Sequence, residues 1–189
     1  MTESLRQVPA TGVSHVDALP PGTRLAEFEI LALLGVGGFG MVYKAFDHSL
    51  HRAVAIKEYM PSALAGRSEG QSLWVRSSSD QQTFHTGLAS FVGEARLLAQ
   101  FDHAALVKVY RFWEMSGTAY MVMPLYRGIT LKQHHEQQEE PLAESTLVPW
   151  LVALTEALEV IHAEQCYHRD IAPDNVILLK GTQRPLLLD

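Results

Sequence analysis

The feature that most constrains the fold of this chain is a cluster of four glycines, Gly35, Gly37, Gly38 and Gly40, set between two β-compatible apolar runs. Phe28 to Leu34 leads into the cluster and Met41-Val42-Tyr43-Lys44-Ala45 leaves it, so the segment reads as strand, glycine turn, strand. A dinucleotide-binding fold needs a helix to begin at the last glycine of such a motif. Here the chain resumes as strand, which rules that reading out on context. What survives is a glycine-rich hairpin whose bare backbone amides can close over a polyphosphate. An ordinary glycine turn fits the same residues, and this motif alone does not separate the two.

A turn at Asp47-His48 and a third short strand, Ala53-Val54-Ala55-Ile56-Lys57, follow. Three antiparallel strands in succession point to a small sheet. The third strand buries alternate residues and projects one ammonium, Lys57, a compact point charge suited to phosphate oxygens. Residues 61–82, rich in Ser, Gly and Gln, read as an irregular insertion with Trp74 as its one anchored residue. Beyond it Phe84, Leu88, Phe91, Ala95 and Leu98 recur at three- and four-residue spacing, which places an apolar stripe on a helix from about Thr83 to Gln100. Glu94 lies in that helix and can supply a carboxylate to Lys57. A lone Lys or Glu is more often a solvated surface charge.

Two further strands are expected at Leu106–Glu114 and Thr118–Met123 around a Ser116-Gly117 turn. A short helix at Leu131 to Gln138 comes next. A longer one ends near Ala163 and carries the stripe Leu147, Leu151, Leu154, Leu158 and Ile161. Val176–Leu179 and Pro185–Leu188, flanking Gly181, read as a hairpin. Residues 1–24, with Pro9, Gly12, Pro20, Pro21 and Gly22, read as a flexible leader.

Composition narrows the function. A formal charge of -6 gives no general attraction to nucleic acid or anionic lipid, so no nucleic-acid partner is expected. The single cysteine, Cys166, forms no intrachain disulfide and no zinc cluster, fits a reducing, cytoplasmic setting, and is read as a filler thiol. No membrane segment is expected in this chain. Adjacent helical residues point about 100° apart, and His134-His135 have no third ligand in view, so they read as a surface pair.

The deciding motif is His168-Arg169-Asp170-Ile171-Ala172-Pro173-Asp174-Asn175, placed after a helix and before an apolar strand. With it the chain resembles the eukaryotic-type protein kinase family, Ser/Thr-like, since glycine loop, strand lysine, helix glutamate and catalytic loop occur in family order. The resemblance implies an α+β protein kinase-like fold. That fold has a five-stranded antiparallel N-lobe sheet with one helix over residues 25–126, hinge included, and an incomplete, mainly helical C-lobe over 127–189. It implies a protein kinase that takes ATP and Mg2+ and phosphorylates Ser/Thr hydroxyls of a protein substrate whose identity stays open.

Carried over by position, Asp170 would accept the proton of the acceptor hydroxyl, and Asn175 and Asp189 would bind magnesium. Lys57, braced by Glu94, would grip the α- and β-phosphates under Gly35, Gly37, Gly38, Phe39 and Gly40. Met123 would be the gatekeeper, Pro124 to Tyr126 the hinge, and Leu34, Val42, Ala55 and Ile177 the sandwich around adenine. His168 would organise the loop. Ser/Thr members usually carry a lysine where this chain has Ala172, whereas Pro173 fits the Ser/Thr version of the loop. The chain stops at Asp189 with no Phe-Gly and no activation loop, so it is expected to act as a fragment, binding nucleotide weakly and transferring phosphate poorly or not at all. Two other readings stay open: a pseudokinase or nucleotide-binding interaction module, and a small-molecule kinase of the aminoglycoside type.

Overall fold

The computed structural model describes residues 13–68 and 71–188. The chain divides into two compact units, one running to Leu97 and including Val109–Leu125, the other comprising Leu98–Lys108 and the chain from Tyr126 onward.

The first unit is built on strands β1 (Arg24–Leu25), β2 (Phe28–Val36), β3 (Gly40–Asp47) and β4 (Arg52–Tyr59), the hairpin β5 (Ala65–Arg67) and β6 (Leu73–Val75), helix α1 (Gln81–Leu98), and strands β7 (Arg111–Met115) and β8 (Thr118–Pro124). Six of these strands form an antiparallel sheet in the order β1-β2-β3-β4-β8-β7. Its five long strands are those expected, and β1 adds a two-residue edge. Alternation on β3 buries Met41, Tyr43 and Ala45 on one face, whereas β8 is buried on both faces through Met123. Trp113 stacks on Tyr120 and on Phe28, at centroid distances of 5.4 and 5.7 Å, tying β7, β8 and β2 into one core.

Three expectations for this unit need correction. Residues 1–12 of the expected flexible leader lie outside the described residues, but the largely exposed stretch 13–23 is tied to the first unit at two buried residues, Asp17 and Leu19. Leu19 is buried and its amide donates to the Tyr43 hydroxyl at 3.2 Å, while the buried Asp17 carboxylate accepts from the amide of Arg67 at 2.9 Å. Within 61–82 the chain forms the β5–β6 hairpin, then a short 3-10 turn at Ser78–Asp80 that runs into α1. Trp74 is half exposed, and the anchors are two arginines instead. Arg67 reaches Glu58, and Arg76 reaches the carbonyls of Ser62 and Ala65. The strand expected from Leu106 begins only at Arg111, because residues 105–107 pair in the second unit: Val107 donates to Leu187, and Leu187 to Ala105.

The second unit contains β9 (Gly128–Thr130), α2 (Leu131–Glu136), α3 (Glu144–Ala163), β10 (Val176–Leu179) and β11 (Pro185–Leu187). The β10–β11 hairpin forms as expected, and β9 completes a three-stranded sheet in the order β11-β10-β9. Thr130 caps α2 in a reciprocal box with Gln133. Helix α3 is apolar around most of its circumference, so its sequence contains more than one stripe. The one it buries runs Trp150, Ala157 and Ile161, while Leu147 and Leu151 of the expected stripe are exposed. By length and composition α3 is the one helix among the described residues that could cross a membrane, and Glu156 and Glu159 lie within it. His134 packs edge-on against Trp150 at 5.5 Å, and His135 is exposed.

Candidate active site

In the first unit the sheet register alone gathers the expected nucleotide residues on one face. Val42, Lys57 and Met121 lie directly opposite one another across β3, β4 and β8, and Ala55 faces Met123 two residues along. The hairpin before them is pinned at both ends. Gly37 donates to Gly40 at 2.8 Å, and the amide of Met60 donates to the Phe39 carbonyl at 3.1 Å. A Cβ on Gly40 would overlap the Glu58 carbonyl, so the close approach of β3 to β4 requires glycine there. Gly38 and Phe39 project into solvent at the tip, Gly35 and Leu34 are partly covered, and Pro124 closes β8 opposite Val54. These bare amides and the small Ala55 suit a phosphate chain joined to a flat base.

Helix α1 delivers the carboxylate. Lys57 Nζ lies 3.4 Å from Glu94 Oε1 and 5.8 Å from the Phe91 ring centroid. A lysine held in this way presents its charge in one direction, which a free lysine on four rotatable bonds does not.

The opposite face of β4 holds a second group of polar side chains that motif reading missed. Glu58 is fully buried, and its carboxylate meets Arg67 at 2.6 Å and the Tyr43 hydroxyl at 2.8 Å. Burial works against the charge on Arg67, but attraction to Glu58 and the bond between them outweigh it, and its pKa lies above the ordinary value. Burial, reinforced by Glu58, pushes the Tyr43 and Tyr120 phenols well up. Arg67 also donates through Nε to the Asp17 carbonyl, and Arg76 reaches the Asp17 carboxylate at 3.3 Å. The signal was present in the alternation of β4. A strand that presents Lys57 on one face must bury Glu58 on the other, and a buried carboxylate requires a cation.

In the second unit the loop after α3 turns sharply at Arg169, whose φ of 65° is left-handed, and ends in a 3-10 turn at Pro173–Asn175. Across that turn the Asn175 side-chain nitrogen lies 2.8 Å from Asp170 Oδ2 and 3.0 Å from the Asp170 carbonyl. The Asp170 carboxylate, itself exposed, is thereby fixed in direction. Asn175 has committed its nitrogen and keeps its side-chain oxygen, the atom type magnesium prefers. Lys132 on α2 pairs with Asp174 at 3.3 Å, and the amide of Leu188 donates to the Asn175 carbonyl at 2.9 Å, bringing the end of the described chain beside the loop. Asp189 lies outside the described residues. Ile177 is on β10 beside Thr130, and the Tyr126 hydroxyl accepts from the amide of Lys108. Cys166 is partly buried where the chain leaves α3. Among the described residues no three His, Cys, Asp or Glu side chains gather to hold a metal by themselves. Magnesium commonly takes only one or two protein ligands and shares phosphate oxygens for the rest, and Asn175 fits that role.

Comparison with known proteins identifies the family and the fold. The family model described as the protein kinase domain matches residues 28–189. Among curated proteins, the DNA damage-responsive serine/threonine-protein kinase RqkA of Deinococcus radiodurans is 30% identical over 177 residues, covering 90% of this chain and 23% of that protein. The serine/threonine-protein kinase pkn2 of Myxococcus xanthus is 32% identical over 158 residues, covering 82% of this chain and 16% of that protein. The chain thus spans about a quarter or less of these relatives. Among solved structures, the apo form of PpkA-294 superposes with a TM-score of 0.86 at 48% identity, over 92% of this chain and 61% of that one. The kinase domain of Mycobacterium tuberculosis PknI shares the fold, with a TM-score of 0.69 at 24% identity over 91% of this chain and 61% of that one.

Proposed function

The chain belongs to the protein kinase domain family, and from that premise we propose that it transfers the γ-phosphoryl group of ATP to a serine or threonine hydroxyl of a protein substrate. The observation that best supports this reading is the Asn175–Asp170 contact, which holds an exposed carboxylate in one direction, as a base would need. An alcohol is a poor nucleophile until it is oriented and relieved of its proton, and the transferred phosphoryl group chiefly needs positioning and charge neutralisation.

Each unit supplies one part. In the first, Gly35 to Gly40 offer backbone amides to the phosphates, Lys57 held by Glu94 grips the α- and β-phosphates, and Leu34, Val42, Ala55 and Met123 line the base, with Pro124 reading its edge. In the second, Asp170 accepts the proton of the acceptor hydroxyl as the oxygen attacks phosphorus and the bond to the β-phosphate oxygen breaks. Asn175, together with Asp189, would hold Mg2+, which when bound neutralises charge on the phosphate oxygens. The family's substrate class and the reducing setting implied by a lone Cys166 favour work in the cytoplasm, where ATP is abundant.

Ala172 favours a second reading, a nucleotide-binding module that does not transfer phosphate, because it removes a cation from beside the γ-phosphate. Phosphate transfer from labelled ATP to a generic protein acceptor, measured on wild type and Asp170→Asn, separates the two. Transfer that falls by at least about a hundredfold in the variant supports the kinase reading. Equal transfer by both proteins sinks the role given to Asp170, and nucleotide binding with no transfer by wild type supports the module.

A further inference from the structure

Beside the Lys57–Glu94 pair, β4 and α1 also meet at Tyr59. Lys57 and Tyr59 are two residues apart on β4 and therefore share a face. On α1, Phe84, Gly87, Phe91 and Glu94 follow one another at spacings of three and four and form one stripe. Tyr59 is buried, with its ring 5.2 Å from that of Phe84 and 5.9 Å from that of Phe91. Its hydroxyl donates to the Phe84 carbonyl at 3.1 Å. Burial raises the pKa of this phenol, so the hydroxyl keeps its proton and remains a donor at neutral pH.

The ring tip occupies the space that a side chain at position 87 would need. A Cβ built on Gly87 would penetrate the van der Waals surface of the Tyr59 hydroxyl oxygen and stand 3.0 Å from Cζ. The far end of a tyrosine could ordinarily swing away, but this buried ring also packs against Phe84 and Phe91 and its hydroxyl is bonded to the Phe84 carbonyl. A glycine inside a helix costs about 1 kcal/mol relative to alanine, and here the missing methyl group is what lets α1 settle on β4. From Gly87 to Glu94 is about two helical turns, so the two contacts fix both the depth and the rotation of the helix.

We propose that Tyr59 and Gly87 form a notch that seats α1 and so positions Glu94 on Lys57, which makes both of them positioning residues for nucleotide binding and transfer. The inference rests on the kinase reading of Lys57. Filling the notch would move the helix by about 1 Å, a shift that at a positioning group can cost up to about a hundredfold.

The test is a titration of the whole protein with a fluorescent ATP analogue and Mg2+, run beside thermal melts, for wild type, Lys57→Ala, Glu94→Ala, Gly87→Ala, Tyr59→Phe and Gly87→Ala with Glu94→Ala. We expect Gly87→Ala to weaken binding about as much as Glu94→Ala, roughly five- to tenfold, and to add nothing in the Glu94→Ala background, because the effect travels through that carboxylate. Its melting temperature should fall equally in both backgrounds, as a packing defect would. Tyr59→Phe, which keeps the ring and is expected to fold, should weaken binding about two- to threefold. If Gly87→Ala and Tyr59→Phe bind as wild type while Lys57→Ala does not, the notch is refuted and the kinase reading stands. An equal further loss in the Glu94→Ala background also refutes it. A wild-type protein that binds no nucleotide, or that is indifferent to Lys57→Ala, overturns the kinase reading and the notch with it.

Discussion

Strand β4 carries two ion pairs on successive residues, and its two faces use them in opposite ways. Toward α1, Lys57 and Glu94 sit 3.4 Å apart with side chains 16% and 37% exposed. On the other face Glu58 and Arg67 sit 2.6 Å apart, 0% and 5% exposed, with Tyr43 adding a second bond to the carboxylate. On the proposed function, the open pair leaves Lys57 able to meet phosphate as well as carboxylate. The closed pair has no room for a ligand and is surrounded by groups that satisfy it. On the proposed function, the same pairing of charges serves nucleotide binding where water enters and architecture where water is shut out. The closed pair also joins distant segments, since Arg67 comes from the β5–β6 hairpin and bonds the Asp17 carbonyl.

The contrast is broken most severely at Arg67. Arg67→Ala leaves a buried carboxylate without its cation, and unfolding by urea should show a loss of about 3–5 kcal/mol. Lys57→Ala should instead cost at least about a hundredfold in phosphate transfer, about 2.7 kcal/mol in the barrier, while its urea midpoint stays near wild type.

Tyr43 sharpens the comparison through pH. Its folded pKa is raised, first by burial and then by Glu58, above the value near 10 of the unfolded chain. Its contribution is therefore complete below about pH 10 and is lost above it, as the unfolded state releases the phenolic proton and the folded state does not. Melting temperatures recorded from pH 8 to 11 should fall in the alkaline range, and Tyr43→Phe should flatten that fall while costing about 1–2 kcal/mol at pH 7. The smallest effect is expected at Trp74. It is half exposed, with the Arg76 guanidinium 5.6 Å from its ring centroid, and Trp74→Ala should cost no more than about 1 kcal/mol in the same melts.

What could be read from the sequence follows the same division. Glycine turn, strand lysine, helix glutamate and the loop from His168 to Asn175 were legible because each is a short motif whose residue types are dictated by chemistry, and the strand and helix periods around them were regular. The β5–β6 hairpin was not, since its strands of three residues are too short to show a period and its anchors are arginines where an apolar residue was sought. Residues 13–23 read as a loose leader because Leu19 and Asp17 are isolated contacts among prolines and glycines, with no period to reveal them. The run from Leu106 looked like one strand because an apolar sequence does not say which of two sheets it will join. On α3, leucines and valines around the helix hid which stripe is buried. The Tyr59–Gly87 contact left no mark beyond a glycine inside a helix, which by itself signals only local weakness.

The central claim, that one face of β4 handles nucleotide and the other holds the fold, is tested most directly by measuring MgATP affinity and urea midpoint side by side on Lys57→Ala and Tyr43→Phe. The account requires Lys57→Ala to lose affinity with its midpoint unchanged, and Tyr43→Phe to lose midpoint with its affinity unchanged. If either variant loses both together, or if the two exchange behaviours, the division between the faces is wrong.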